Sequence, residues 1–392
     1  MEKRMDVSES IRYTGVDDTT IDLFESQYPV PTGVSYNSYV ILDEKIAVMD
    51  TCDKRGSEQW MKNVKTVLGG RKPDYLVVQH LEPDHSANIA ALADEYPDMQ
   101  LVGSYKTKQM IAQFFEKDYA SRMIAVKEGE TLSLGSHTLH FVMAPMVHWP
   151  EVMVTYEDSE KVLFSADGFG TFGALSTYAD WTEDEWLEEA RRYYINIVGK
   201  YGTQVLALLN KAASLDIAKI APLHGPVLSK NLGFYIGKYQ TWASYEPEES
   251  GIFFPYASIH GNTKKAVLDF VSELQKKGAN VIPMDLTRTD VSYAVEKAYE
   301  YDRMILAGPT YDAGLFPCVE DFIYHLEHKL YQNRTVGLIE NGSWAPQAGK
   351  LMTARFSAMK NITLVQPVVT IKTTRKAADQ AAWDVLAEEM LK

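Results

Sequence analysis

Cysteine is nearly absent: among 392 residues there are only Cys52 and Cys318. Two such distant residues build neither a disulfide scaffold nor a Cys-x-x-Cys metal site. Long hydrophobic runs are missing as well, so nothing in the sequence is suited to span a bilayer. The charged stretch 1–9 lacks the apolar core of a secretory signal. Together these absences lead us to expect a cytoplasmic protein in a reducing compartment. Positive charge is in deficit: 39 Lys and Arg stand against 53 Asp and Glu, a formal net charge of −14. A phosphate backbone would be repelled, which excludes a generic nucleic-acid binder. There is no short-period repeat and no low-complexity tract.

What is present is an ordinary globular composition, 46% hydrophobic and 23% charged, in a chain long enough for two cores. The region 36–156 is rich in short strands separated by turns. Residues 39–42 and 46–49 flank Asp43-Glu44-Lys45 as a hairpin. Residues 75–78 read as a buried strand running straight into His80, and 153–156 and 162–165 flank another polar turn. A helix is expected from Glu183, with Trp186, Ala190 and Tyr193 or Tyr194 on one face. The tone changes after Tyr245, where 246–251 is polar and contains breakers, as a linker should. Beyond it, strands at 252–256, 281–285, 304–307, 336–339 and 364–369 alternate with helices. Such a pattern makes an open, doubly wound parallel sheet. The expected domains are 1–247 and 251–392.

The strongest chemical signal is His80-Leu81-Glu82-Pro83-Asp84-His85, directly after an apolar strand. Three further ligand types occupy equivalent places. His148, Asp167 and His224 each follow an apolar run, which is how a sheet delivers side chains to a cleft at its edge. A lone His after a strand is usually hydrogen-bonded structure, and Asp167-Gly168 alone could be a turn. Four segments with the same placement argue for a metal centre.

His-x-Glu-x-Asp-His, then His148, Asp167 and His224 in order, resembles the metallo-β-lactamase superfamily. Its zinc hydrolases usually carry His where this chain has Glu82. A hard anionic oxygen there favours iron or manganese in a mixed nitrogen–oxygen site. Within the superfamily that pattern is similar to the flavodiiron proteins. The likeness extends over almost the whole chain. It takes in Leu23-Phe24-Glu25, the run from Gly33 to Tyr39, His148-Trp149-Pro150 and Asp167-Gly168-Phe169-Gly170. The resemblance implies an N-terminal metallo-β-lactamase-like αββα sandwich followed by a flavodoxin-like sheet. It also implies one iron on His80, Glu82 and His148, another on Asp84 and His224, and Asp167 bridging them. His85 is a ligand in some relatives and gives way to water in others. Two metals roughly 3.5–4 Å apart could bind both ends of a diatomic molecule.

The second domain opens with strand 252–256, then Ser258-Ile259-His260-Gly261-Asn262-Thr263, then a helix. Backbone N–H groups at the helix start, with the hydroxyls, can cradle a phosphate without a lysine. Neither Gly-x-Gly-x-x-Gly nor Gly-Lys-Ser/Thr is found here. The segment resembles the phosphate loop of flavodoxins, which binds FMN, although relatives commonly have Tyr or Thr at the place of His260. Two more loops follow the third and fourth strands, where such a sheet holds its flavin ring. One includes Pro309, Thr310, Tyr311, Asp312 and Gly314; the other is Asn341-Gly342-Ser343-Trp344. Tyr311 and Trp344 could pack against the ring.

The expected cofactors are therefore FMN and two iron ions per chain. The expected reaction is reduction of dioxygen to water, of nitric oxide to nitrous oxide, or of both. Four electrons are needed for dioxygen, and FMN and a di-ferrous pair can each supply two. Trp149, Tyr193 and Tyr194 are candidates to surround the metals, or simply core. The chain reaches Lys392 without a four-cysteine rubredoxin module, so electrons are expected from outside, through a rubredoxin or a reduced deazaflavin as in related proteins. The short linker and the placement of the sites favour a head-to-tail homodimer, or a dimer of dimers. The alternatives are a zinc-dependent hydrolase fused to a flavodoxin-like domain, and a pure electron-transfer module.

Overall fold

A computed structural model of the chain describes residues 6–392. The first five residues of the expected 1–247 domain lie outside the described residues. The chain divides into two compact units, Met1–Tyr194 with Tyr201–Gln240, and Ile195–Lys200 with Thr241–Lys392.

The first unit is a sandwich of two sheets. One has the strand order Ile11–Tyr13, Tyr39–Ile41, Ala47–Met49, Tyr75–Val78, Gln100–Ser104 and Met123–Val126. Tyr39–Ile41 and Ala47–Met49 form the antiparallel hairpin expected from the sequence, and the next three strands continue in parallel. The other sheet runs Thr131–Ser133, Thr138–Met143, Met153–Glu157, Val162–Phe164 and Lys219–Ala221. Alternate residues of each strand point into the space between the sheets. Tyr39, Met49, Val77, Phe141, Met153 and Phe164 share that apolar cluster. Tyr39 and Phe164 meet across it with ring centroids 5.5 Å apart. Each large apolar side chain so enclosed contributes about 1.5–3 kcal/mol.

Helices cover the outer faces. Ser57–Leu68 buries Trp60, Val64 and Leu68 at four-residue spacing and ends at Gly69, whose φ of 56° suits a residue without a Cβ. Glu183–Tyr193 starts at a capping box between Thr182 and Glu185, and buries Trp186, Ala190 and Tyr193. This is the αββα sandwich that the sequence resemblance implies.

Strands Thr138–Met143 and Val162–Phe164 each run antiparallel to Met153–Glu157, so they point the same way. Lys219–Ala221 is parallel to Val162–Phe164. The loops that leave these three strands therefore emerge at one edge of the sheet, carrying His148, Asp167 and His224.

The second unit is a mostly parallel sheet in the order Val281–Asp285, Glu249–Tyr256, Tyr301–Tyr311, Arg334–Asn341, then Ile362–Leu364. Second, first, third, fourth, fifth is the flavodoxin-like order. Ile252 and Phe254 face a core shared with helices Asn262–Lys276 and Gln380–Met390. Phe253 points to the opposite face and meets Phe322 of helix Pro317–His328. Both faces are thus covered, as a parallel sheet requires.

Two details differ from the sequence expectation. The first strand begins at Glu249, inside the stretch read as linker. The fifth strand, expected over 364–369, is two short strands, Ile362–Leu364 and Val369–Ile371, each paired with Arg334–Asn341. Pro367 lies between them, and a residue without an N–H cannot continue a ladder.

Candidate metal centre and flavin cleft

The residues of the His80–His85 loop enter a short helical turn, Pro83–Ser86, immediately after Glu82. Proline at the first helical position suits that geometry. The loop is pinned at both ends. Asp50 accepts hydrogen bonds from the backbone N–H and the side-chain amide of Gln79, both at 2.8 Å. Thr51 donates its hydroxyl to the carbonyl of His85 at 2.6 Å, and Ser86 donates to the carbonyl of Leu81 at 2.7 Å. His224 is fixed by a different set. Its Nδ1 lies 2.7 Å from the Ser35 carbonyl, and the Asn37 amide donates to the carbonyls of Pro222 and Gly225 at 2.9 and 2.7 Å.

These anchors bring two groups of ligand atoms together: His80, Glu82, His148 and Asp167 in one, Asp84, His85 and His224 in the other. Asp167 joins them. Its Oδ2 lies 3.2 Å from Nε2 of His80 and of His148. Its Oδ1 lies 3.4 Å from Nε2 of His85 and 3.6 Å from Nε2 of His224. Glu82 completes the first group, 3.2 Å from His80 and 3.0 Å from His148. Asp84 completes the second, 3.1 Å from His85 and 3.3 Å from His224. All seven residues singled out in the sequence are therefore brought to one place. His85 points its Nε2 into the second group, 3.1 Å from the Nε2 of His224.

Hydrogen bonding accounts for only part of this proximity, as between His80 and Glu82 and between His85 and His224. Both carboxylate oxygens of Asp84, Oδ1 of Asp167 and Nε2 of His148 are buried without a hydrogen-bond partner. Orphaned buried groups of this kind each cost about 1–3 kcal/mol, more when charged. Four such atoms aimed at two common points fit a pair of cations. The electrostatics agree. Burial opposes ionisation of Asp167, yet the imidazoles beside it, His80 foremost, hold its pKa well below the usual carboxylate range. Burial likewise disfavours a charged His148, but Asp167 and Glu82 push it up to about 9. The carboxylate charge demands positive charge at this spot. Metal dications meet that demand with oxygen and imidazole ligands.

Aromatic rings wall the site. Phe24 and Tyr193 lie with centroids 5.3 and 5.5 Å from His224, and Trp149 lies 5.2 Å from His80. Tyr194 does not take part: it packs on Tyr239 at 5.0 Å. The regular helix ends at Tyr193, and Tyr194 opens a π-helical stretch, Tyr194–Val198. Glu151, which accepts from His80 and from the Leu81 N–H at 2.8 and 2.9 Å, was not singled out by sequence reasoning. Its only signal is an acidic residue three positions after His148.

In the second unit, a cleft of about 560 Å³ opens at the C-terminal ends of the strands. Its lining includes Ser258, His260, Asn262, Thr263, Pro309, Thr310, Tyr311, Asp312, Asn341, Gly342, Ser343 and Trp344. Such a volume is typical of small-molecule sites. Gly261 shapes the first loop instead, with φ of 92° just before helix Asn262–Lys276 and its N–H donated to Ser258 Oγ at 3.1 Å. Gly314 sits in a tight hairpin opposite Tyr311. Two of the lining residues do structural work. Thr310 Oγ1 accepts from the N–H groups of Gln347 and Ala348 at 2.9 and 3.0 Å. Asn341 ties Thr263 to the Thr373 backbone at 3.1 Å in both contacts. Trp344 is 92% exposed, a large aromatic ring held in water beside the cleft. Thr373, also in the lining, follows the fifth strand, whose end the sequence did not locate.

A β-lactamase-type sandwich with paired metal-ligand groups, followed by a flavodoxin-like sheet with a cleft at its strand ends, defines a narrow class of proteins. The family described as ODP family beta lactamase matches residues 34–225. The chain is 30% identical over 336 residues to a rubredoxin-oxygen oxidoreductase of Megalodesulfovibrio gigas, covering 84% of this chain and 83% of the relative. It is 27% identical over 386 residues to a nitric oxide reductase of Moorella thermoacetica, covering 97% and 96%. The solved structure of rubredoxin oxygen:oxidoreductase from Desulfovibrio gigas matches with a TM-score of 0.90 at 26% identity, covering 98% of this chain and 97% of that one. The chain belongs to the flavodiiron protein family.

Proposed function

We propose that this chain is a flavodiiron oxidoreductase that reduces dioxygen to water, nitric oxide to nitrous oxide, or both. The observation that carries the reading is Asp167, whose two oxygens face different ligand groups. A carboxylate so placed suits two metals acting on one small molecule. His80, Glu82 and His148 would hold one iron, Asp84, His85 and His224 the other, with Asp167 shared. The names of the relatives support both gases, one being an oxygen oxidoreductase and another a nitric oxide reductase.

In the second unit, Ser258, Asn262, Thr263 and the start of helix Asn262–Lys276 would hold the phosphate of FMN. Tyr311 and Trp344 would pack on its ring. When bound, a ferrous pair and reduced flavin supply two electrons each. One dioxygen with four electrons and four protons gives two waters; two nitric oxide molecules with two electrons and two protons give one nitrous oxide and one water. The protein's share is to keep carboxylates ionised, hold imidazole Nε2 atoms in position, and exclude water with Phe24, Trp149 and Tyr193. No helix among the described residues is long and apolar enough to cross a membrane.

Electrons arrive from a separate donor, a rubredoxin in preference to a reduced deazaflavin. The working unit is a head-to-tail homodimer, alone or paired into a tetramer, in which flavin and irons of different subunits cooperate. Mixed dimers test this. One subunit carries Asp167→Ala, and the other carries Ser258→Ala with Thr263→Ala. About half the activity survives if transfer is between subunits, and none if it is within one. The function itself is tested by steady-state consumption of each gas by photochemically reduced protein. Turnover of neither gas would refute it.

A further inference from the structure

The two ligand groups are matched in their inner donors. Each has two imidazoles and one carboxylate of its own, and each shares Asp167. What differs lies behind the imidazoles. His80 turns its Nδ1 to the carboxylate of Glu151 at 2.8 Å, with neither side chain exposed. His224 turns its Nδ1 to a neutral carbonyl, that of Ser35, at 2.7 Å. His85 Nδ1 is buried with no partner at all.

Glu151 is itself held for this task. Its Oε1 also accepts the Leu81 N–H at 2.9 Å, and its backbone carbonyl accepts the Ser104 hydroxyl at 2.8 Å. Its Oε2 is buried without a partner, so the carboxylate charge is shared with little besides the imidazole. An anionic acceptor on Nδ1 raises electron density at Nε2, whereas a neutral carbonyl does so weakly and an absent partner not at all. In a dry site that difference is poorly screened.

From this contrast we infer that Glu151 makes the two metal positions unequal: the one on His80 is the tighter, and the one on His85 and His224 is the first to empty. Glu151 is a positioning and polarising residue, acting on the metal only through His80. This inference rests on the proposed di-iron site.

The test is chelator challenge of anaerobic, iron(II)-loaded protein, following iron release with a colorimetric chelator. Wild type is expected to lose iron in two separated steps of about one iron per chain each. Glu151→Gln keeps the shape and an acceptor oxygen for both N–H groups but removes the charge. In this variant the tighter step weakens by roughly 10–100-fold, so the two steps converge, while the weaker step stays in place. Circular dichroism and thermal melting of the metal-free variant should match wild type, which a merely structural role would not allow. Glu151→Asp retains the charge and is expected to keep two steps; it also serves if the Gln variant does not fold. Two-step release unchanged in Glu151→Gln, or steps that merge in Glu151→Asp, would overturn the inference. Protein that takes up no pair of irons at all would instead refute the di-iron reading on which it rests.

Discussion

Replacing Asn37 with Ala should loosen the His224 end of the metal centre and destabilise the first unit together. Asn37 is fully buried. Its amide donates to the carbonyls of Pro222 and Gly225, on either side of His224, and its Oδ1 accepts the Tyr13 hydroxyl at 3.2 Å. Alanine removes three hydrogen bonds from a fully buried position. Taking about 1 kcal/mol for each bond gives a loss of about 3 kcal/mol. For a unit of this size 1 kcal/mol moves the melting temperature by about 2–4 °C, so a fall of about 6–12 °C is expected for the metal-free protein. The retained bond from the Asn37 N–H to the Leu223 carbonyl keeps the strand in place, so the fold should survive. His224 would then be held by Ser35 without its loop being clamped, and affinity for the second metal should drop by roughly tenfold or more. Differential scanning calorimetry and elemental analysis read the two effects. A shift under about 2 °C with full metal retention would refute the reasoning, because the loop would then not depend on Asn37.

Three further outcomes are expected. Asp167→Asn keeps the shape but removes the one charge that both ligand groups face, so metal content should fall below one ion per chain while the far-ultraviolet circular dichroism stays unchanged. Burial alone would raise the pKa of Asp18, but hydrogen bonds from Arg55 and Thr20 hold it at about 2. That is below the unfolded value of about 3.9, so the contact stabilises fully above that pH and is lost as pH falls through about 2. With Arg55 half exposed, the difference from Asp18→Asn should be about 1 kcal/mol in urea unfolding at pH 6 and vanish towards pH 2. Trp344→Ala should leave stability within about 0.5 kcal/mol, since the ring is in water, yet weaken FMN binding roughly 2–10-fold in a fluorescence titration.

The ligand residues were legible because each lies in a loop or turn that follows an apolar strand, and parallel strands deliver such loops to one edge. An open parallel sheet was legible from regular alternation of strand and helix, while its flavodoxin-like kind came from the resemblance of the Ser258–Thr263 loop. What stayed hidden depends on three-dimensional contact. Glu151 lies 71 residues from His80 in the chain, and nothing in its neighbourhood announces the imidazole it meets. Ser35 and Asn37 stood in a run that marked the family, but their bonds to the His224 loop span more than 180 residues. Tyr193 and Tyr194 could not be ranked from periodicity, because both fall on the same helical face as Trp186. The split fifth strand shows a local signal, Pro367, that was outweighed by the apolar residues around it.

A pair of irons joined by Asp167 and served by FMN would leave a compositional and a magnetic signature. The measurement is to purify the protein anaerobically with iron supplied, then determine iron, zinc and flavin per chain and the magnetic coupling of the metals. About two irons and one FMN per chain are expected, with the two iron spins coupled through their shared carboxylate. Predominantly zinc without flavin, or irons that behave as isolated centres, would contradict that expectation.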